Sequence, residues 1–326
     1  MKAILVPSPG GPEMLQLGEI EKPHPKEREV LIKVIAAGIN RADTLQRMGR
    51  YPPPAGASPV LGLEIAGVIE ETGVKVSTLK KGDKIFGLIP GGGYAEYAVI
   101  HEDMAMIIPG NLSMTEAASI PEVFLTAYQS LIWHGKIKSD DYVLIHAGGS
   151  GVGTAAIQIA HGTRAHTITT ASKNKLEKCI KLGAEIAIDY SEGSFVNKVA
   201  QLTGNHGVDV IIDFIGAGYF DQNIECLNSD GKLIILATLS GNIVEQFDLA
   251  ALMKKRLAII GSTLRSRQLD YQIKLTKEFY KYSKEKFESG KLKPVIDKVF
   301  NWEDVIEAHK YIESNKNFGK IVLSFS

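Results

Sequence analysis

The first 120 residues alternate short apolar runs with turns that contain glycine or proline. Four of these runs are rich in β-branched residues, at 29–39, 61–73, 81–89 and 94–100. Glycine-containing segments such as Lys81-Gly82-Asp83 separate them. Runs of this length, divided by turn residues, predict β-strands. This part of the chain is therefore predicted to be a compact, β-barrel-like domain with few helices.

After Pro121, apolar runs alternate with stretches of helical composition. Strands are predicted at 142–147, 165–172, 185–190, 208–216, 231–239 and 257–263. Helices are predicted at 152–162, 173–183 and 194–204, and near 219–227. Strands that alternate with helices are typical of a parallel, doubly wound sheet with short crossovers.

The tail from about residue 270 is more charged and helical, and it ends in an apolar run at 319–325. A final strand after helices is expected to return and pair with the first domain. A chain of 326 residues is long enough for two domains. We therefore expect one domain to consist of residues 1–120 and 270–326, and the other of residues 121–269.

Composition excludes several classes of partner. The 37 Lys and Arg residues balance the 37 Asp and Glu residues, so no net charge attracts nucleic acid or an anionic membrane. Two cysteines are too few for a disulfide framework or an all-cysteine zinc site. No segment approaches the ~20 apolar residues of a membrane span, and the N-terminus does not resemble a signal peptide. A soluble cytoplasmic protein is expected.

A glycine-rich turn separates the predicted strand 142–147 from the helix that begins near Val152. Its glycines are Gly148, Gly149, Gly151 and Gly153. Glycine permits a tight turn and close approach of a ligand, and a helix N-terminus presents N–H groups to a pyrophosphate. The match to G-x-G-x-x-G is imperfect, because Ser150 replaces the second glycine. Its position at the first strand-to-helix turn nevertheless predicts a dinucleotide site.

The end of the second predicted strand indicates which dinucleotide binds. NAD sites usually place Asp or Glu there, about 20 residues after the first glycine. No Asp or Glu occurs from Gly148 through Leu176, and Ser172 and Lys175 occupy the relevant region. These side chains bind a 2′-phosphate by charge-assisted hydrogen bonds. NADPH is therefore expected. The alternative is a solvated helix start, although the helix dipole disfavours lysine there.

Six further segments, in order along the chain, resemble the quinone oxidoreductases of the medium-chain dehydrogenase/reductase superfamily. They are 9–17, 39–54, 61–73, 91–99, 120–131 and 146–158. The nearest resemblance is to the tumour-suppressor-inducible subgroup, which shares the Ser-Gly-Val-Gly turn, the 263–267 segment and a tail similar to 315–323. The resemblance implies a GroES-like, β-rich catalytic domain and a Rossmann-type, doubly wound parallel sheet. It also implies NADPH-dependent reduction of quinones.

The resemblance draws attention to missing zinc ligands. Zinc alcohol dehydrogenases of the superfamily have cysteine and histidine where this chain resembles them at Asn40 and Leu63. Leucine cannot bind a metal, and an amide oxygen is a poor zinc ligand. No catalytic metal is expected. Without zinc, a simple alcohol is hard to oxidise. A quinone or an activated alkene is already electrophilic and accepts hydride from NADPH.

The resemblance also suggests site residues. Tyr51 resembles an active-site tyrosine that stacks on the quinone or donates a hydrogen bond to it, and the alternative is a loop aromatic packed on the prolines that follow. Asn40 is the second candidate catalytic residue, with a helix-cap role as its alternative. The expected cofactor contacts are Asn40, Thr126, Gly149, Gly151, Val152, Ser172, Lys175, Tyr190, Ile215, Leu239, Leu264 and Asn315.

Two other functions remain open. One is NADPH-dependent reduction of an enone or alkenal. The other is non-catalytic NADPH binding, which the glycine-rich turn and the Tyr51 loop disfavour. The apolar run at 257–263 is predicted to be an exposed sheet edge, and such an edge invites pairing. In this family two subunits commonly join there, so we expect a homodimer.

Overall fold

The computed structural model describes residues 1–325. These residues divide into two compact units. The β-rich unit contains residues 1–125 and 265–325, and the parallel-sheet unit contains residues 126–264.

The strands are, in chain order, β1 Lys2–Leu5, β2 Gln16–Glu19, β3 Glu29–Ile39, β4 Glu64–Thr72, β5 Lys84–Leu88, β6 Tyr97–His101, β7 Ala105–Ile107, β8 Tyr142–Ile145, β9 His166–Ala171, β10 Ile186–Asp189, β11 Val208–Asp213, β12 Leu227–Ile235, β13 Ala258–Gly261, β14 Ile296–Asn301 and β15 Lys320–Ser324. The α-helices are α1 Arg41–Arg47, α2 Met114–Ala118, α3 Pro121–Tyr128, α4 Gly151–Gly162, α5 Leu176–Lys181, α6 Val196–Leu202, α7 Phe220–Cys226, α8 Leu249–Lys255, α9 Leu269–Glu288 and α10 Val305–Glu313. Short 3₁₀ turns join several of them.

The parallel-sheet unit is built on six strands in the order β10-β9-β8-β11-β12-β13. Every pair of neighbours is parallel. The order runs outward from β8 in one direction and from β11 in the other, which is the arrangement of a doubly wound dinucleotide-binding sheet. Ligands of such sheets bind at the carboxyl ends of the strands where the order reverses, here β8 and β11. The predicted α/β fold class is confirmed.

The two central strands of this sheet, β8 and β11, are mostly apolar because both faces are covered. Val143, Leu144 and Ile145 of β8 are fully buried, and so are Ile211 and Ile212 of β11. Burial of side chains of this size stabilises the fold by about 1.5–3 kcal/mol each. The buried strands thus form a rigid base for the loops at their carboxyl ends.

The β-rich unit contains a small antiparallel pair, β1 and β2, and a larger sheet. In the larger sheet, β14, β15, β3, β4, β5 and β7 follow one another, and β6 also pairs with β3. As expected, the tail strand β15 returns to this sheet, where Ile321 pairs antiparallel with Ile39 at the end of β3. This pairing brings Lys320 to the segment that leads into α1. The helix α9 packs on the same unit, with Phe279 and Phe287 against Phe124.

Several sequence-predicted boundaries differ from those in the structure. The strand predicted at 231–239 is β12, which begins as soon as α7 ends and stops at Ile235. Residues beyond it form a loop instead, because Leu236 N–H donates to Asp213 O at 2.8 Å and holds the chain on the end of β11. The helix predicted at 173–183 begins as a 3₁₀ turn at 173–175 and continues as α5.

Candidate active site

The glycine-rich turn lies between β8 and α4, at the point where the strand order reverses. The Ser150 hydroxyl caps α4 by accepting a hydrogen bond from the Gly153 N–H at 3.0 Å. Gly151 and Val152, the first two residues of the helix, are half-buried. The N-terminus of this 12-residue helix is therefore open to a ligand while the rest of the helix is packed.

Close packing explains why glycine occupies this turn. A Cβ at Gly148 would lie 2.1 Å from Thr169 Oγ1, and one at Gly153 would lie 2.3 Å from the carbonyl oxygen of Ala147. The two glycines let α4 approach the turn and β9 closely. A helix N-terminus held against a tight glycine turn is a ready site for a pyrophosphate. The residues present thus fit a nicotinamide dinucleotide.

The carboxyl end of β9 carries the side chains predicted to select the cofactor. Ser172 and Lys175 are half-buried, and Ser172 Oγ donates to Asn174 Oδ1 at 2.8 Å. Ala171 pairs with Asp189 of the neighbouring strand, so Tyr190 follows the end of β10 just as Ser172 follows the end of β9. Tyr190 is 48% exposed. The structure thus places these three predicted residues on adjoining strand ends.

The structure adds Asp189 to this region, a carboxylate that the sequence analysis missed. Its Oδ1 accepts hydrogen bonds from the N–H and the hydroxyl of Ser191, at 2.9 and 2.7 Å. These bonds hold the pKa of Asp189 below its usual value, and the charge of Lys173 contributes. The carboxylate is therefore ionised at neutral pH. A search for Asp or Glu at the end of the third predicted strand, as well as the second, would have found it.

The loops that follow β11 and β12 carry Ile215 and Leu239. Leu239 N–H donates to Phe214 O at 3.2 Å, and Ser240 N–H donates to Ile215 O at 2.8 Å. These bonds join the two loops at the carboxyl edge of the sheet. Leu239 is 60% exposed there.

The remaining predicted cofactor residues are divided between the two units. In the parallel-sheet unit, Thr126 is half-buried in α3 and Leu264 is buried. In the β-rich unit, Asn315 is exposed just after α10, and its Oδ1 accepts from Arg41 Nη2 at 2.5 Å.

Asn40 belongs to a buried polar cluster in the β-rich unit. Its Nδ2 donates to Glu64 Oε1 at 2.9 Å, and its Oδ1 accepts from Lys320 Nζ at 2.6 Å. The Lys320 ammonium also lies 2.7 Å from Glu64 Oε1 and donates to Ile39 O at 2.6 Å. Lys320 is 3% exposed and Glu64 is fully buried. Asn40 precedes α1 as an N-cap residue, and both polar atoms of its side chain are used within the cluster.

A second buried chain of polar groups adjoins this cluster. Arg47 is fully buried, and its Nη1 lies 3.0 Å from Nδ1 of His309. Burial, together with the Arg47 charge, lowers the pKa of His309 to about 3, so the ring is neutral. Its Nδ1 therefore accepts from Arg47, which leaves the Nε2–H to donate toward Tyr94 OH at 3.4 Å. The hydrogen-bond network thus fixes the tautomer of His309.

The series of hydrogen bonds from Arg47 through His309 and Tyr94 ends at Asp43, which is fully buried at the start of α1. Tyr94 OH donates to Asp43 Oδ2 at 3.2 Å, and the N–H groups of Asn40 and Gly62 donate to the same carboxylate at 2.8 and 3.0 Å. Burial raises the pKa of Asp43 to about 6, and the two N–H bonds limit the rise. No local motif in the sequence marks this network, because its members are far apart along the chain.

Tyr51 lies in the loop that follows α1 and is half-buried. The guanidinium of Arg265 lies 5.4 Å from the centre of its ring, within cation–π range. Arg265 is itself buried and is held by Pro90 O, to which its Nε donates at 2.8 Å, and by Gln46 Oε1, at 2.7 Å from Nη2. Arg265 is not among the predicted site residues, although it lies in the 263–267 segment that carries part of the family resemblance.

Leu63 and Asn40 occupy the positions at which the sequence predicts that zinc ligands are missing. Among residues 1–325, no three His, Cys, Asp or Glu side chains are grouped so that they could hold a metal. The amide of Asn40 donates to Glu64 and accepts from Lys320, so both of its polar atoms are already bonded within the protein. In the same range, none of the helices has the length and apolar character that a membrane span requires.

Comparison with known proteins gives consistent results along the whole chain. Two family models match, one described as an alcohol dehydrogenase GroES-like domain at residues 26–110 and one described as a zinc-binding dehydrogenase at residues 151–279. The quinone oxidoreductase of Homo sapiens is 33% identical over 330 residues, covering 99% of this chain and 97% of that protein. The quinone oxidoreductase of Lama guanicoe is also 33% identical, with the same coverage of both chains.

Solved structures of related enzymes are similar to this protein over nearly the whole chain. The quinone oxidoreductase of Escherichia coli, solved in complex with NADPH, superposes with a TM-score of 0.90 at 30% identity, covering 99% of this chain and 100% of that one. The CurK enoyl reductase gives a TM-score of 0.89 at 27% identity, covering 99% and 98%. The finer subgroup suggested by the sequence stays a prediction. The chain belongs to the quinone oxidoreductase subgroup of the medium-chain dehydrogenase/reductase superfamily and is a nicotinamide-dependent oxidoreductase.

Proposed function

We propose that the protein reduces quinones with hydride from NADPH and uses no metal. The observation that supports this proposal is the buried cluster of Asn40, Glu64 and Lys320, in which an amide stands where the family resemblance implies a cysteine ligand in zinc enzymes. Without a Lewis acid the substrate must already be electrophilic. Quinones meet this requirement, and the bound dinucleotide supplies the hydride.

Tyr51 and Arg265 are the proposed binding surface for the acceptor. Their contact joins an aromatic ring to a guanidinium that is fixed by Pro90 and Gln46. A planar quinone stacks on the ring, while its oxygens accept hydrogen bonds from the tyrosine hydroxyl or the guanidinium. Asn40 is proposed to position this region through Glu64 and Lys320 and to contact the nicotinamide end of the cofactor.

The same chemistry supports one alternative acceptor. An activated alkene, such as an enone or alkenal, also takes a hydride without help from a metal. The likeness to the CurK enoyl reductase favours this second candidate. The two functions share the dinucleotide site and differ in the acceptor that the Tyr51 region binds.

A panel of acceptors tests the proposed function. We expect the purified protein to oxidise NADPH when a benzoquinone or naphthoquinone is added, faster than with enones or alkenals of similar size. The measurement is the loss of NADPH absorbance at equal concentrations of each acceptor. Faster turnover with the activated alkenes would favour the alternative, and no turnover with either class would refute both.

The proposed cofactor contacts are Thr126, Gly149, Gly151, Val152, Ser172, Lys175, Tyr190, Ile215, Leu239, Leu264 and Asn315, together with Asn40. Ser172, Lys175 and Tyr190 form the proposed site for the 2′-phosphate, because they lie on adjoining strand ends and combine a hydroxyl, a cation and an exposed phenol. The ionised Asp189 lies close by, and its bonds to Ser191 occupy one of its oxygens.

This site predicts a measurable cofactor preference. NADPH is expected to bind at least ten times more tightly than NADH, about 1.4 kcal/mol, and Lys175→Ala is expected to remove most of that preference. The loss follows from one charge-assisted bond to the phosphate. Calorimetry with both cofactors measures it. Lys178→Ala, on the exposed side of α5, serves as the control and should keep the preference. Equal affinities in the unmodified protein would disprove the assignment.

A homodimer is the proposed assembly. β13 lies at the edge of the parallel sheet, with Ala258 and Gly261 exposed. The preceding helix α8 exposes Leu249 and Met253, at 62% and 76%. Unpaired strand edges next to exposed apolar side chains favour pairing with another chain, and a two-fold axis would extend one sheet through both subunits.

We place the protein in the cytoplasm, where its free, buried cysteines Cys179 and Cys226 would stay reduced.

A further inference from the structure

A small cavity lies beside Arg265 in the β-rich unit. Its lining is about half apolar, from Leu63, Leu88, Ile89 and Pro90, and half polar, from Glu122, Arg265 and Gln272. Its volume is about 10 Å³. That volume is about the minimum that holds one water molecule.

Two polar atoms of the residues around this cavity have no partner within the described part of the chain. They are Oε2 of Glu122, at the start of α3, and Nη1 of Arg265. Arg265 is only 6% exposed. A buried polar atom without a hydrogen bond destabilises the folded state, and an ordered water commonly satisfies such atoms. One water that accepts from Arg265 and bonds to Glu122 would satisfy both.

Four charged groups influence the ionisation of Glu122. Glu64 of β4 and Asp43 of α1 oppose its ionisation, whereas Lys320 of β15 and Arg265 favour it. Burial outweighs the favourable charges and, with the two carboxylates, raises the pKa of Glu122 to about 8. The carboxyl group therefore holds a proton at neutral pH. Burial raises the pKa of Tyr51, and the Glu122 carboxylate, once ionised, raises it further, so the two groups are within electrostatic reach of each other.

We propose that Glu122 and a water in this cavity store the proton consumed when the acceptor is reduced, and deliver it toward the acceptor held at Tyr51 and Arg265. This inference rests on the proposed function. Hydride transfer brings two electrons and one hydrogen to a quinone, and a neutral hydroquinone needs one further proton. The new O–H bond forms as the O–H bond of Glu122 breaks through the water. Arg265 then stabilises the carboxylate, and solvent returns the proton after the product leaves.

The isosteric variant Glu122→Gln tests this step. The substitution removes the ionisable carboxyl group while keeping the shape of the side chain. We expect kcat with a quinone to fall at least tenfold, within the range known for the loss of a general acid, with an unchanged Kd for NADPH. In the unmodified protein kcat should decrease as the pH rises through about 8, because Glu122 then loses its proton. This decrease should be absent from Glu122→Gln and present, at a shifted pH, in Glu122→Asp.

A spectroscopic measurement decides the protonation state independently of turnover. Infrared spectra of the protein without cofactor should show a protonated carboxyl band at neutral pH. That band should shift in D₂O, disappear near pH 8 and be missing from Glu122→Gln. If that variant does not fold, the pH titration of the band in the unmodified protein and in Glu122→Asp still tests the assignment.

The outcomes of these experiments distinguish the proposed quinone reduction from the proposed role of Glu122. Quinone reduction with an unchanged rate and pH profile in Glu122→Gln overturns the role of Glu122 and leaves the proposed function intact. Absence of the carboxyl band at neutral pH overturns it as well. Failure of the unmodified protein to reduce any acceptor refutes the proposed function and the delivery step with it, while the band still shows whether Glu122 stores a proton.

Discussion

Replacing Lys320 with methionine is expected to lower the free energy of unfolding by about 3–5 kcal/mol. The Lys320 ammonium donates to Asn40 Oδ1 and Ile39 O and forms an ion pair of 2.7 Å with Glu64. Lys320→Met leaves the fully buried Glu64 without its counter-charge, and an uncompensated buried charge is strongly destabilising. Urea unfolding followed by circular dichroism measures the change. The second variant Lys320→Met/Glu64→Gln should recover part of the loss, because it also removes the buried negative charge.

The chain provides a matched control on α10. Lys310 pairs with Glu307 at the same distance of 2.7 Å, but both side chains are more than half exposed. Exposed pairs contribute about 0–1 kcal/mol, so Lys310→Met should change stability by less than 1 kcal/mol. Similar losses for Lys320→Met and Lys310→Met would show that burial does not decide the strength of the Lys320 pair.

This cluster illustrates which parts of the structure the sequence predicts. The apolar run at 319–325 predicts a final strand, and the structure confirms its return to the first sheet through the pairing of β15 with β3. The partners of Lys320 are not predictable in the same way. Asn40 lies 280 residues away along the chain and Glu64 lies on β4, so only the folded sheet brings them together.

Periodicity predicted the parallel sheet because its strands contain apolar runs and alternate with helices along the chain. It misplaced β12, since residues 236–239 are as apolar as the strand before them. Hydrogen bonds to the end of β11 determine where β12 stops, and these are contacts between neighbouring strands that the local pattern does not contain. The loop so formed carries Leu239, one of the proposed cofactor contacts.

The residues of the candidate site also differ in how well the sequence predicts them. The glycine-rich turn and the side chains at the end of β9 lie within 30 residues of each other and form a local motif, so the sequence alone indicates a dinucleotide site. Arg265, Glu122 and the chain from Arg47 through His309 to Asp43 carry no such motif. Their significance follows from burial and from missing or shared hydrogen-bond partners, which only the folded structure defines.

Gly153→Ala is expected to raise the Kd for NADPH at least tenfold while the protein stays folded. The added Cβ would lie 2.3 Å from Ala147 O and 2.8 Å from the Cα of Gly148. These are main-chain atoms of the turn itself, so α4 must move away from the turn rather than a side chain rotate. Such overpacking costs about 1–3 kcal/mol. The movement displaces the helix N-terminus that is proposed to bind the pyrophosphate, and a tenfold weaker affinity corresponds to about 1.4 kcal/mol.

Gly110→Ala is the control for this substitution, because a Cβ at Gly110 meets no atom within 4 Å. Calorimetry measures the Kd for NADPH of both variants, and urea unfolding reports their stability. Alanine raises helix propensity by about 1 kcal/mol over glycine, which offsets part of the strain in Gly153→Ala. Affinity should therefore fall more clearly than stability. If Gly153→Ala binds NADPH as tightly as Gly110→Ala, the close approach of α4 to the turn is not required, and the dinucleotide is held mainly by the side chains that follow β9, β10, β11 and β12.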